Sequence, residues 1–283
     1  ARPAASAGAA RRYLSSAAAA TAPELEPVTV TKEDGVATLV LNNSYNVANV
    51  FTMETIDMFR SKWAEAEADP EVTAMVITAE KTGIFSGGLD LKEFHQPDVE
   101  RLKRYWGGVQ GLMTDVFESR LYTVCKINGH APAGGTVLSL TTDYRIALDG
   151  PYKHGLNEAA LGLILPWWIE GLMVRGVGLR QAERCVPLAL LMGCDEALKI
   201  GLVDEVAEGE DGLADAVDAA LKKLKTIPQQ ARAAAKIQLR REFASDMRTR
   251  LEADTENFVE KITSPEMQGA LGAYLKSLEK RKK

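Results

Sequence analysis

Histidine and cysteine are scarce in this chain, with three of each among 283 residues. His95, His130 and His154 stand far apart, and no spacing brings two of them to one metal, which argues against a zinc or iron centre. Cys125, Cys185 and Cys194 are odd in number and form no CxxC pair, so reduced, buried thiols are expected instead of a disulfide scaffold. No apolar run reaches the ~18 residues that a membrane-spanning helix needs. Positive charge is not in excess. The net charge of −5 argues against a nucleic-acid binder, whose contact surface is basic. There is no Walker-type phosphate loop and no GxSxG elbow. The stretch GVGLRQA (176–182) lacks the third glycine of a dinucleotide loop and joins two helical segments. With 46% hydrophobic and 26% charged residues, what remains is a globular chain long enough for one large core and an appendage.

The first 23 residues differ from the rest. They hold Arg2, Arg11 and Arg12, many Ala and Ser, and no acid, the composition of a mitochondrial transit peptide. The expectation is a matrix protein. If the segment is kept, it is an arm held by a partner protein, because an Ala-rich stretch has little to order it alone.

From residue 24, β-type and helical patterns alternate. VTVTK and VATLVL flank Glu33-Asp34-Gly35, a hairpin signal. Residues 50–68 carry apolar positions at a helical period and stop at Asp69-Pro70. VTAMVIT (72–78) reads as a strand buried on both faces. A glycine-rich loop and a helix over 98–119 follow, then the strand LYTVCKING, the loop HAPAGG, an apolar helix and the strand DYRIAL. From 213 onward the chain is almost wholly helical, punctuated by Pro228 and Pro265. The fold class is therefore α/β, with short strands in repeated ββα units: a core over 24–206 and a helical C-terminal region over 207–283.

Two glycine loops carry candidate chemistry. FSGGLD (85–90) and NGHAPAGG (128–135) each follow a predicted buried strand and precede a helix. Each alone reads as a tight turn. Together, backbone N–H groups from two such loops can form an oxyanion hole. A third stretch, GLNEAALGLILPWWI (155–169), holds a single ionisable side chain, Glu158. Either it sits on the wet face of a short helix or it is a carboxylate kept for use.

The stretches TGIFSGGLDLKEF, INGHAPAGGTVLSLTTDYRIAL, GLNEAALGLILPWW and GLRQAERCVPLALLMGCDEALKIGLVDEV resemble, in order and spacing, the crotonase (enoyl-CoA hydratase/isomerase) superfamily, over roughly residues 28–280. The likeness is greatest to its mitochondrial isomerase branch. It implies a crotonase fold and an acyl-CoA thioester substrate. The oxyanion donors it implies are the N–H groups of Leu89 and Gly134, with Gly88, Asp90, Ala133 and Gly135 shaping the substrate site; Trp167 and Trp168 either wall the acyl pocket or pack into the core or an oligomer contact. Hydratases of the family carry one catalytic Glu three residues after the loop glycine, where this chain has Val137, and a second where it has Glu158. A lone carboxylate points to a double-bond shift, with Glu158 as catalytic proton shuttle. Asn157 is expected to cap its helix, and burial beside Leu161, Ile164, Trp167 and Trp168 to raise its pKa against the helix terminus.

The resemblance further implies no metal or redox cofactor, coenzyme A being part of the substrate. It implies a homotrimer or hexamer joined through the C-terminal helices. A heterotrimer or a larger mitochondrial complex tethered by the N-terminal arm is the alternative assembly, and a structural subunit or a related hydratase the alternative function. Two departures stand out. The segment NNSYNVAN (42–49) lacks the proline many relatives carry near the CoA adenine, and Gly87 replaces a common alanine, which is expected to loosen the first loop.

Overall fold

A computed structural model describes residues 26–42 and 48–281. The N-terminal arm of residues 1–23 and residues 43–47 of the proline-free segment lie outside the described residues.

The chain opens with a hairpin, β1 (Val28–Glu33) and β2 (Val36–Leu41), paired antiparallel from Glu33 opposite Val36. Asp34 and Gly35 both have positive φ, 47° and 76°, the conformation that a two-residue turn matching strand twist demands. β2 then pairs in parallel with β3 (Ala74–Ala79), and the sheet continues through β5 (Tyr122–Ile127), β7 (Tyr144–Leu148) and β9 (Glu205–Ala207), all parallel, in the order β1-β2-β3-β5-β7-β9. Every residue of β3 is buried, as its unbroken apolar run requires of a central strand.

A second, smaller parallel sheet consists of β4 (Gly83–Ile84), β6 (Gly129–Pro132) and β8 (His154–Gly155), in that order. Each of its strands follows a strand of the large sheet and leads toward a helix: α2 (Val99–Glu118), α3 (Gly134–Thr141) and α4 (Trp167–Val177). This repetition is the ββα plan of a crotonase fold. It places three strand-to-helix loops side by side at the edge of the small sheet.

The starts of α1 and α2 carry side-chain caps. Thr52 accepts from the Thr55 N–H at 3.2 Å at the head of α1 (Met53–Ala68), and Asp98 accepts from Arg101 N–H at 2.8 Å at the head of α2. After α4 come α5 (Leu179–Cys185), α6 (Cys194–Ile200), α7 (Gly209–Lys225), α8 (Gln229–Thr249), α9 (Leu251–Ile262) and α10 (Pro265–Arg281). The boundary expected at 206/207 falls inside β9. α7 covers one face of the large sheet, where Leu213, Ala216 and Val217 meet Val76, Val124, Ile146 and Leu148. α8 and α9 pack on α2.

α8 is fastened by buried charge. Asp143, at the entry to β7, pairs with Lys236 at 2.7 Å and Arg240 at 2.8 Å. Lys236 also donates to the Leu121 carbonyl, and Arg240 to the carbonyls of Phe117 and Thr141. Both cations are largely covered by the protein and share this one anion, so its removal would leave them uncompensated. The three cysteines are buried and unbridged. Among the described residues no helix is long and apolar enough to cross a membrane.

Candidate active site

The first glycine loop is anchored as a strand extension. The Phe51 N–H donates to the Gly88 carbonyl (2.8 Å) and the Asp90 N–H to the Phe51 carbonyl (3.2 Å), a parallel bridge centred on Leu89. In extended backbone, successive N–H groups alternate in direction. With Asp90 N–H turned toward Phe51, the Leu89 N–H faces the opposite side, and among the described residues it donates to nothing. The Asp90 carboxylate accepts from the Lys92 N–H at 3.1 Å and starts the 3₁₀ turn Leu91–Glu93. Gly87 does not loosen the loop. Its N–H donates to the Ala48 carbonyl at 2.7 Å, and a Cβ there would stand 2.9 Å from the same oxygen, so glycine lets the two segments close up.

The second loop turns through Ala133, whose φ of 51° and ψ of −123° are unusual for a residue with a side chain. That conformation is fixed from both sides, the Ala133 N–H donating to the Gly155 carbonyl (2.8 Å) and its carbonyl accepting from Val137 N–H (3.0 Å). Gly134 is then the first residue of α3. Its N–H has no partner in the helix, no side chain caps it, and it donates to no described group.

The loops touch at glycine. A Cβ on Gly88, where φ is 93°, would stand 2.9 Å from the Gly134 nitrogen, and a Cβ on Gly134 would stand 3.3 Å from the Leu89 nitrogen. The two N–H groups therefore flank the same contact. Gly135 has a further reason to be glycine, since a Cβ there would lie 2.7 Å from the Ser86 carbonyl.

Glu158 begins a 3₁₀ turn, Glu158–Leu161, which Gly162 ends with φ of 74°. The residue as a whole is only partly buried, but its Oε2 is shut off from solvent and has no hydrogen-bond partner. Burial lifts its pKa from 4.5 to about 7, against the opposing pull of the N–H groups of Glu158 and Asn157. The expected contest between burial and helix terminus is won by burial. The terminus is weak here because the turn is short and its N–H groups do not sum as a long helix would.

The expectations for Asn157 and Ile164 fail. Asn157 makes no cap hydrogen bond, and its Oδ1 is buried without a partner. Ile164 is 67% exposed and does not bury Glu158. Trp167 ties the turn to the C-terminal helices: its Nε1 donates to Asp254 on α9 at 2.7 Å, its ring meets Phe243 of α8 edge-on, and Arg250 lies over it. Trp168 is fully buried beside Trp106. Val137 is buried on α3, so an apolar side chain holds the position of a second carboxylate.

Two contributors carry no short-range signal. Thr136 joins the second loop to the base segment, accepting from Gly155 N–H at 2.8 Å and donating to the Ala131 carbonyl. α10 packs against the 3₁₀ turn of Glu158, while Gln268 on the same helix accepts from Gln96 N–H (2.7 Å) and donates to the Phe94 carbonyl (2.8 Å). α10 thus joins the segment after the first 3₁₀ turn to the turn of Glu158.

The arrangement supplies two N–H groups that donate to no described group, beside one contact of the glycine loops, and a carboxylate with one buried, partnerless oxygen and a pKa of about 7. It can stabilise negative charge on a carbonyl oxygen while moving a proton at carbon.

Comparison with known proteins agrees with this architecture. The model of the enoyl-CoA hydratase/isomerase family matches residues 31–283. The mitochondrial enoyl-CoA delta isomerase 1 of Mus musculus is 36% identical over 249 residues, 88% of this chain and 85% of the mouse protein. A short-chain-enoyl-CoA hydratase of Clostridium acetobutylicum is 27% identical, covering 92% of this chain and 97% of the hydratase. Among solved structures, human mitochondrial delta3-delta2-enoyl-CoA isomerase superposes with a TM-score of 0.87 at 35% identity, over 91% of this chain and 100% of the human one.

Proposed function

The chain belongs to the enoyl-CoA hydratase/isomerase family, and we propose that within it the protein is a Δ3,Δ2-enoyl-CoA isomerase, converting a 3-enoyl-CoA to the 2-trans isomer in the oxidation of unsaturated fatty acids. The observation that carries this is the Glu158 carboxylate, whose Oε2 is buried without a partner, in a chain that has Val137 where a hydratase carries its second carboxylate.

In this scheme the ionised Glu158 takes a proton from C2 of the substrate. The electron pair left behind moves into a dienolate, and negative charge develops on the thioester oxygen between the N–H groups of Leu89 and Gly134. Loss of one such donor typically costs about 3–4 kcal/mol of transition-state stabilisation. Glu158, now protonated, returns the proton at C4, and the double bond comes to lie between C2 and C3. Atoms and charge balance with no other reagent, so the scheme draws on no cofactor beyond the coenzyme A carried by the substrate. A pKa of about 7 suits both halves, because a base and its conjugate acid must each be accessible near neutral pH. Hydration would need a second carboxylate to hold and activate water, and Val137 offers none.

The mitochondrial relatives support the same compartment, with the matrix as the site of the pathway. A trimer-based assembly is supported by apolar side chains left exposed on the helices and their connections, among them Leu239 on α8 at 79% and Leu188 at 67%. The test supplies the purified protein with a 3-enoyl-CoA and, separately, with a 2-enoyl-CoA. Isomerisation without formation of 3-hydroxyacyl-CoA is the expected result, and rapid hydration would overturn the assignment.

A further inference from the structure

The first oxyanion donor belongs to a short piece of backbone, Gly88–Asp90, and two buried hydroxyls grip it from either side. Ser86, with no exposure, donates its hydroxyl to the Asn49 carbonyl at 3.0 Å and accepts the Gly88 N–H at 3.1 Å. Tyr105, on α2 and equally buried, donates to the Phe51 carbonyl at 2.6 Å and accepts the Asp90 N–H at 3.1 Å, sharing that N–H with Phe51. Each hydroxyl bridges a carbonyl of the 49–51 segment to an N–H adjoining Leu89. With the Gly88 carbonyl bound to the Phe51 N–H, the backbone groups on both sides of the Leu89 N–H are tied into the protein.

We propose that Ser86 and Tyr105 are positioning residues that hold the Leu89 N–H at the oxyanion position. The inference rests on the oxyanion role assigned above to Leu89.

A hydroxyl is suited to this place because it donates and accepts at once, so one group satisfies a carbonyl and an N–H together. Alanine or phenylalanine would leave a buried carbonyl without its hydroxyl donor and weaken the hold on the neighbouring N–H. Burial pushes the Tyr105 hydroxyl well above its usual pKa range, so it remains a neutral donor. A loop free to shift by a fraction of an ångström would still bind the neutral thioester. It would stabilise the dienolate less, because full charge on the oxygen exists only beyond the ground state. The signature of positioning is therefore a fall in kcat with KM little changed.

The test uses Tyr105→Phe and Ser86→Ala in the full chain, with a 3-ketoacyl-CoA as probe. The enolate of that probe shares its charge with the thioester oxygen and absorbs in the near ultraviolet where the keto form does not. The parent is expected to bind a fraction of the probe as enolate. Each variant is expected to lower that fraction and to lower kcat for a 3-enoyl-CoA about 10-fold, with KM changed less than about twofold. Parent-like enolate fraction and kcat in both variants would overturn the inference, as would a lower melting temperature with the enolate fraction intact. A parent that binds the probe only in the keto form would overturn the oxyanion role of Leu89 itself. Should Ser86→Ala fail to fold, Tyr105→Phe decides alone, since it keeps the ring that packs against Phe94.

Discussion

Replacing Glu158 with glutamine is expected to stabilise the fold while removing its base. Oε2 lies out of solvent with no partner, and burial lifts the carboxyl from 4.5 to about 7. In the unfolded chain it returns to 4.5. Above pH 7 the group is ionised in both states, and only the folded state carries the buried charge. At about 1.4 kcal/mol per pH unit, the gap between 4.5 and about 7 comes to about 3 kcal/mol. As pH falls through 7 the folded carboxyl takes up a proton, the penalty shrinks, and it is gone below 4.5, where both states are protonated. A glutamine amide keeps a desolvation cost of its own, about 1–2 kcal/mol, so the net gain at about pH 8 is about 1–2 kcal/mol. Urea unfolding of the parent and Glu158→Gln at about pH 8 and pH 5 measures it. A gain at the higher pH that mostly fades at the lower is the expected outcome. Equal stability at the higher pH, or a gain indifferent to pH, refutes the claim that this carboxylate is buried without compensation.

Because the base must be ionised, kcat/KM for isomerisation should fall on the acid side with a midpoint near 7; a profile flat well below that point contradicts the assignment. Gly88→Ala places a Cβ 2.9 Å from the Gly134 nitrogen on backbone at φ 93°, and should cost on the order of 100-fold in kcat by spreading the two donors. Activity within about threefold of the parent would show that the loops need not touch. Asp143→Asn removes the anion from Lys236 and Arg240 and should destabilise the fold by about 3–5 kcal/mol in urea unfolding, with a loss below about 1 kcal/mol counting against the buried clamp.

The large sheet was legible in the sequence because its strands are unbroken apolar runs or sit beside clear turns: β3 is buried throughout, and Asp34-Gly35 makes the turn its composition announces. The small sheet was not. β4 and β8 are two residues each, too short for any periodicity, and β6 lies where a loop was expected because its backbone pairs across the chain through GHAP. The candidate groups were readable from motif, since Leu89 and Gly134 lie on loops whose glycines are fixed by close approach and Glu158 is the single ionisable side chain of its stretch. Their supports were not. Tyr105 lies 54 residues from the Phe51 carbonyl it binds, and Trp167 lies 87 from Asp254. Such partnerships depend on how helices cross, which local pattern does not encode. Asn157 misled for a related reason. Asn before a helix is a good cap in general, but here the turn is 3₁₀ and the side chain is buried away from its N–H groups.

The central claim is that Glu158 moves the proton. The measurement that tests it most directly is turnover of a 3-enoyl-CoA by the parent beside Glu158→Gln, with circular dichroism to show that both are folded. The account predicts rapid conversion to the 2-enoyl-CoA by the parent and a loss on the order of 1,000-fold or more in the variant. A folded Glu158→Gln that keeps a tenth or more of the parent's rate, on the order of 1 kcal/mol in barrier, would contradict it.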